Sequence, residues 1–244
     1  RPATAPVTAP IESVAGLSAE AAAWRDARIA EGFTPINIVP GDGTTARLLT
    51  AQRPDPQAFA SAVLLDDGRV VETPAELATT FTTDLYGVGG APALLEVDYD
   101  GNLATNTQVW IGVPGSGEWA STGDLGFTPT SSGWGGITIR SVGDVLLVAD
   151  NSYVQNGDGS LSLSPDQRGV VVHPDLSVTE MAPAPEGVAL FFTSSSGGKA
   201  LQLYGPAVEG GSSLDVSYDQ PWQYDPTTNE WTEKSASTPE RVRN

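Results

Sequence analysis

Apolar residues in this chain come in short runs, and nearly every run is closed by glycine, proline or an Asp/Asn turn. That punctuation leaves room for strands joined by tight turns and little room for long helices. Twenty-seven Gly and nineteen Pro in 244 residues supply it. Five segments read as hairpins. Ala62–Leu65 and Val70–Glu72 flank Asp66-Asp67-Gly68, and Leu94–Tyr99 and Leu103–Thr107 flank Asp100-Gly101-Asn102. Val109–Val113 and Glu118–Ser121 flank Pro114–Gly117, while Val170–His173 and Leu176–Glu180 flank Pro174-Asp175. The last joins Trp222–Tyr224 to Glu230–Glu233 through Asp225–Asn229. Further strands are expected at Gly136–Arg140, Val145–Ala149, Val188–Thr193 and Ala200–Tyr204. Gly and Asp provide the turn conformations that these pairs need.

Helices are confined to the N-terminal third. Ser18 caps a run in which Ala21–Ala23 favour helix, and Gly32 ends it. Leu17, Trp24, Ala27 and Ile29 give a partial apolar stripe, so this helix should pack on a sheet edge through Trp24. Thr73-Pro74-Ala75-Glu76 reads as a second helix start, with Leu77, Phe81 and Leu85 on one face. A shorter helical candidate covers Asp55–Ala62.

The hairpin Tyr224-Asp225-Pro226-Thr227-Thr228-Asn229-Glu230-Trp231, with Gly197-Gly198 upstream, resembles the closing hairpin of a Kelch-type propeller blade. A Kelch pattern recurs about every 50 residues, and the sequence shows no fixed period of that kind. The expected fold is therefore mainly β: antiparallel hairpins in an irregular propeller-like or β-sandwich domain, with one or two short N-terminal helices. Residues 1–15, spaced by Pro2, Pro6 and Pro10, read as a Pro/Ala/Thr-rich linker. Residues 16–234 read as one mainly-β domain and 235–244 as a polar tail. The chain opens at Arg1 instead of Met, as expected of a processed or shortened product. A linker of this composition suits an exported, extracytoplasmic protein, secreted or lipid-tethered to the outer face of a membrane.

Composition excludes much chemistry. With no cysteine there is no thiolate nucleophile, zinc–thiolate site or disulfide, and His173 is the single histidine. A Ser–His–Asp triad would have to use His173, yet no Gly-x-Ser-x-Gly elbow occurs. Gly197-Gly198-Lys199 lacks the spacing of a phosphate loop. A formal net charge of −18 repels phosphate backbones and anionic headgroups, so no nucleic-acid partner is expected. No stretch reaches the roughly 18 apolar residues of a membrane span.

Two kinds of site remain. Glu96, Asp98 and Asp100 alternate along one strand and so project from one face, where three carboxylates could hold a hard cation. Set against that, the same alternation describes a solvated outer face, with Leu95, Val97 and Tyr99 inward. Asp150, Asn156 and Asp158 form a second calcium candidate, although Val154 and Pro165 stand where an EF-hand needs ligands. No cofactor is expected, calcium being the one that the sequence admits. Of six tryptophans, Trp119 beside Glu118, Trp134 in a Gly/Ser-rich stretch, and Trp231 are candidates for a glycan platform or a partner hot spot. The expected function is that of a non-enzymatic accessory subunit, bound to a protein partner in a larger cell-envelope or membrane assembly. Its alternative is a carbohydrate-binding or carboxylate-based carbohydrate-active protein.

Overall fold

The computed structural model describes residues 9–10, 17–34, 36–79, 84–100, 103–127, 137–150, 153–155, 157, 161–163, 167–185, 188, 190, 192–196, 198–202 and 222–234. Over these residues the protein is mainly β, in antiparallel sheets with one α-helix. Its backbone gathers into two compact units. The first comprises residues 1–98, 106–126 and 173–177, and the second comprises 99–105, 127–172 and 178–244.

The first unit opens with β1 (Ala9–Pro10), α1 (Ala19–Ala30), β2 (Ile36–Pro40), β3 (Arg47–Pro54), β4 (Gln57–Leu64) and β5 (Val70–Glu72). These strands lie side by side in chain order. Along β2–β4 the side chains alternate between two buried faces. Ile36, Ile38, Leu49, Ala51, Ala62 and Leu64 pack with Ala21, Trp24 and Phe33, so α1 covers one face of the sheet. The opposite face presents Val39, Leu48 and Val63. Burial on both sides explains why β3 is buried without a break from Leu48 to Ala51, Thr50 included, instead of alternating. Each fully buried leucine stabilises the fold by roughly 2 kcal/mol.

Ser18 caps α1 as its sequence requires, its Oγ accepting from the Ala21 amide at 3.1 Å. Trp24 packs over the sheet face, and its indole N–H donates to Glu72 Oε1 on the outer strand β5 at 3.0 Å. The helix therefore lies on the face and only reaches the edge. Two helix expectations are corrected. Asp55–Ala62 is no helix: the chain turns at Asp55-Pro56 and continues as β4, whose every residue pairs with β3. The second start yields only a 3-10 helix, Ala75–Thr79, with Leu77 buried beneath it; Phe81 lies outside the described residues.

The same unit continues with β6 (Tyr86–Val88), β7 (Ala91–Asp100), β8 (Leu103–Gly112) and β9 (Trp119–Ser121), again neighbours in chain order, with the β7–β8 tip, residues 99–105, counted to the second unit. Leu85, Leu94, Trp110 and Trp119 pack against Val39, Leu48 and Val63, so the two sheets meet face to face.

The second unit holds β10 (Ile137–Val142), β11 (Val145–Asp150), the hairpin β12 (Tyr153–Gln155) and β13 (Leu161–Leu163), β14 (Gly169–Val172) and β15 (Val178–Glu180). Strands β10, β11, β14 and β15 form one sheet, from which β12–β13 stands apart as a two-stranded insertion. A last sheet is β16 (Phe192–Ser196), β17 (Lys199–Gln202), β18 (Trp222–Asp225) and β19 (Glu230–Glu233). The expected strand at Val188–Thr193 thus begins only at Phe192. Leu147, Ala149, Val171, Met181, Phe192 and Tyr224 form the shared core of these two sheets.

Setting aside the short β1, four four-stranded meanders follow one another, starting at residues 36, 86, 137 and 192. One meander thus occupies about 50 residues, a regularity of structure that has no counterpart in residue identity.

Candidate functional site

Three turns of the first unit frame a cleft of about 370 Å³. The first joins β4 to β5. Here the Leu65 amide donates to Arg69 O at 2.9 Å, and Asp67 takes both the Arg69 amide and its Nε, at 3.1 and 2.7 Å. Arg69 is thereby neutralised locally, and its two hydrogen bonds hold the Asp67 carboxyl below the usual carboxylate range. The second turn is the two-residue link Gly89-Gly90 between β6 and β7. Its φ values of 54° and 81° are those of the tight hairpin turns that only glycine enters freely.

The third turn joins β8 to β9. Val113 N–H donates to Glu118 O at 2.8 Å, and the Ser116 hydroxyl accepts from the Glu118 amide at 3.0 Å. At the end of β8, a Cβ on Gly112 would lie 3.0 Å from Pro92 Cγ, so any larger residue would have to push Pro92 back by a few tenths of an ångström.

Half-buried Leu65, Val71, Pro92 and Trp119 line the inner part of the cleft, while Val113, Pro114 and Glu118 stand at its exposed rim. The Trp119 indole N–H donates to Glu72 O at 2.8 Å, which fixes the ring and leaves its carbon surface as the face on offer. Glu118 has no side-chain partner among the described residues, so the cleft carries one unneutralised carboxylate. Such a surface can bind an apolar group beside a cation. It holds no nucleophile with an adjacent base.

The structure brings Trp119 and Glu118 together in this cleft. Trp134 lies outside the described residues. Trp231, in the second unit, is a packing residue: its ring centroid is 5.1 Å from that of Tyr224, and its indole N–H donates to Ala182 O at 3.0 Å. Sequence reading missed the other contributors, Arg69, Val71, Pro92 and Val113. Their convergence depends on the pairing of β4 with β5 and on the packing of the two sheets, which no local spacing reveals.

The carboxylate row on β7 takes a different form from the one expected. Glu96 is buried, on the same face as Leu94, and β7 lies between β6 and β8. Glu96 Oε2 accepts from Gln108 Nε2 at 2.7 Å and from Trp110 Nε1 at 2.6 Å. Asp98 accepts from Asn106 Nδ2 at 3.1 Å. The solvated-outer-face reading is therefore corrected for Glu96, because β8 offers amide and indole donors that solvate the carboxylate internally. The Asp100 side chain lies outside the described residues, as do Asn156 and Asp158. Asp150 is buried at the end of β11, where its amide donates to Arg168 O at 2.9 Å. Among the described residues no three acidic or histidine side chains gather as a metal site would require.

His173, Asp175 and Ser177 share the turn between β14 and β15, but in the wrong order for a triad. The Ser177 hydroxyl donates to Asp175 Oδ1 at 2.6 Å, and with the Ser177 amide it holds that carboxyl below its usual range. Among the described residues no helix is long and apolar enough to cross a membrane. No known protein family and no curated protein matches the chain.

Proposed function

We propose that this protein is a non-enzymatic interaction protein of the cell envelope, an accessory subunit that docks on a larger extracytoplasmic or membrane assembly through the Trp119 cleft. The observation that carries the reading is the cleft's make-up: a fixed tryptophan face, aliphatic and proline walls, and charge limited to the Asp67–Arg69 pair and Glu118. Fixed aromatic surface in a concave apolar patch is what binding hot spots are made of. The extracytoplasmic setting rests on the Pro/Ala/Thr composition of residues 1–15. The competing reading, a carbohydrate-binding or carboxylate-based carbohydrate-active protein with calcium as an optional cofactor, draws on the adjacency of Trp119 and Glu118.

A photo-reactive amino acid placed at Val113, 39% exposed at the rim, tests this against the same group at Ile29, 45% exposed on α1. In cells that make the protein, the Val113 probe should give one discrete protein adduct that the Ile29 probe does not. Absence of that adduct, together with polysaccharide binding that a chelator abolishes, would replace the reading with the carbohydrate one.

A further inference from the structure

Building on the docking reading, we infer that the Trp119 cleft receives an extended segment of the partner protein in which an apolar side chain is followed by lysine or arginine. The apolar part follows from the walls. Leu65, Val71, Pro92 and Trp119 offer contact area and no hydrogen bond, since the Trp119 N–H is already given to Glu72 O. A sugar lying on these four side chains would have to find its hydrogen bonds at the rim, from Glu118 and the turn backbones. An aliphatic or proline side chain loses nothing there.

The cation follows from charge. Arg69 is neutralised by Asp67 at 2.7 Å, whereas the Glu118 carboxylate at the rim has no partner among the described residues. The protein's net charge of −18 adds a long-range pull on a basic segment. The extended conformation follows from framing, around a space of about 370 Å³ that is near the lower end of ligand pockets. The exposed Gly89-Gly90 and Pro114–Gly117 turns also present backbone groups along which an extended chain can lie.

The test uses the full chain and immobilised short peptides in which Leu, Ile, Pro or Phe is followed by Lys, Arg, Gln or Glu. Peptides ending the pair in Lys or Arg should bind about threefold better than their Gln counterparts, and those with Glu should bind worst. In Glu118→Gln the advantage of Lys over Gln should vanish, and in Val113→Asp, an exposed site that the fold does not need, binding of every apolar pair should fall. In wild type, amide shifts should concentrate at Gly89, Gly90, Gly115 and Gly117. If Val113 cross-links to a partner in cells but no peptide class is preferred, the peptide assignment fails while the docking reading stands. If neutral glycans shift the same amides and peptides do not, both fail.

Discussion

Glu96 shows how a single residue reconciles a charge with a core. Its carboxylate sits on a buried face and survives there because Gln108 and Trp110 both donate to Oε2. Replacing Glu96 by Ala removes the acceptor and strands two donors, which should lower the unfolding free energy by about 3 kcal/mol. Glu96→Gln keeps a carbonyl in place and should cost about 1 kcal/mol. Urea denaturation midpoints of the two variants check the difference. Equal losses would mean that the carboxylate charge, which both variants remove, matters more than the volume and the carbonyl acceptor that only glutamine keeps.

Tyr224 makes a parallel case at alkaline pH. Burial, with a smaller contribution from the neighbouring Asp225 charge, pushes its hydroxyl from 10.0 up to about 12. That hydroxyl donates to Asn229 Oδ1 at 2.7 Å. A group whose folded value is raised stabilises fully below its unfolded value. Between pH 10 and about 12 the unfolded chain releases a proton that the folded chain keeps, so stability falls through that window. Tyr224→Phe should lose about 1 kcal/mol at neutral pH and show a shallower decline across the alkaline window. Stability measured against pH by denaturant titration gives both numbers.

At the scale of elements, what could be read from sequence was whatever short-range chemistry decides. The α1 cap at Ser18, the hairpin turns around Asp67, Gly115 and Asp175, and the closing hairpin from Trp222 to Glu233 all depend on residues within a few positions of one another. Strands β2 and β3 were not legible. Both faces of their sheet are buried, so Leu48 to Ala51 carries no alternation to betray a strand. Asp55–Ala62 misled for a related reason: alanines at 58, 60 and 62 favour helix locally, but pairing with β3 overrides that preference. The site divides the same way. Glu118 and Trp119 stood out because they are adjacent and chemically distinct, whereas Pro92 and Val71 become lining residues only when β6–β9 packs on β2–β5.

Across the whole molecule one device recurs inside each unit. The last strand of a meander is an edge, whose unpaired carbonyls invite pairing with other chains. In the first unit Trp119 reaches 47 residues back to cap Glu72 O, the end of β5. In the second, Asn229 Nδ2 caps Glu180 O at 3.1 Å and Trp231 caps Ala182 O, each 49 residues back and at or just past the end of β15. Each offset is close to one meander length, so each latch ties one meander to the one before it. Glu20 on α1 adds a further cap, accepting from the Val70 amide at 2.8 Å.

Replacing the indole of Trp119 or of Trp231 by benzothiophene, whose sulfur stands where the N–H was, keeps the bicyclic ring and removes the donor, which isolates the latch from its packing. Each should lower stability by about 1 kcal/mol. The more telling measurement is amide exchange. Thr73 and Met181, the amides next to the capped segments, pair with Ser61 O and Gly169 O. Thr73 should lose more protection in the first variant and Met181 in the second than the central strands β3 and β11 of the same units do. A uniform loss across a unit would show that the indole N–H acts on overall stability alone, and the edge-capping role would have to be given up.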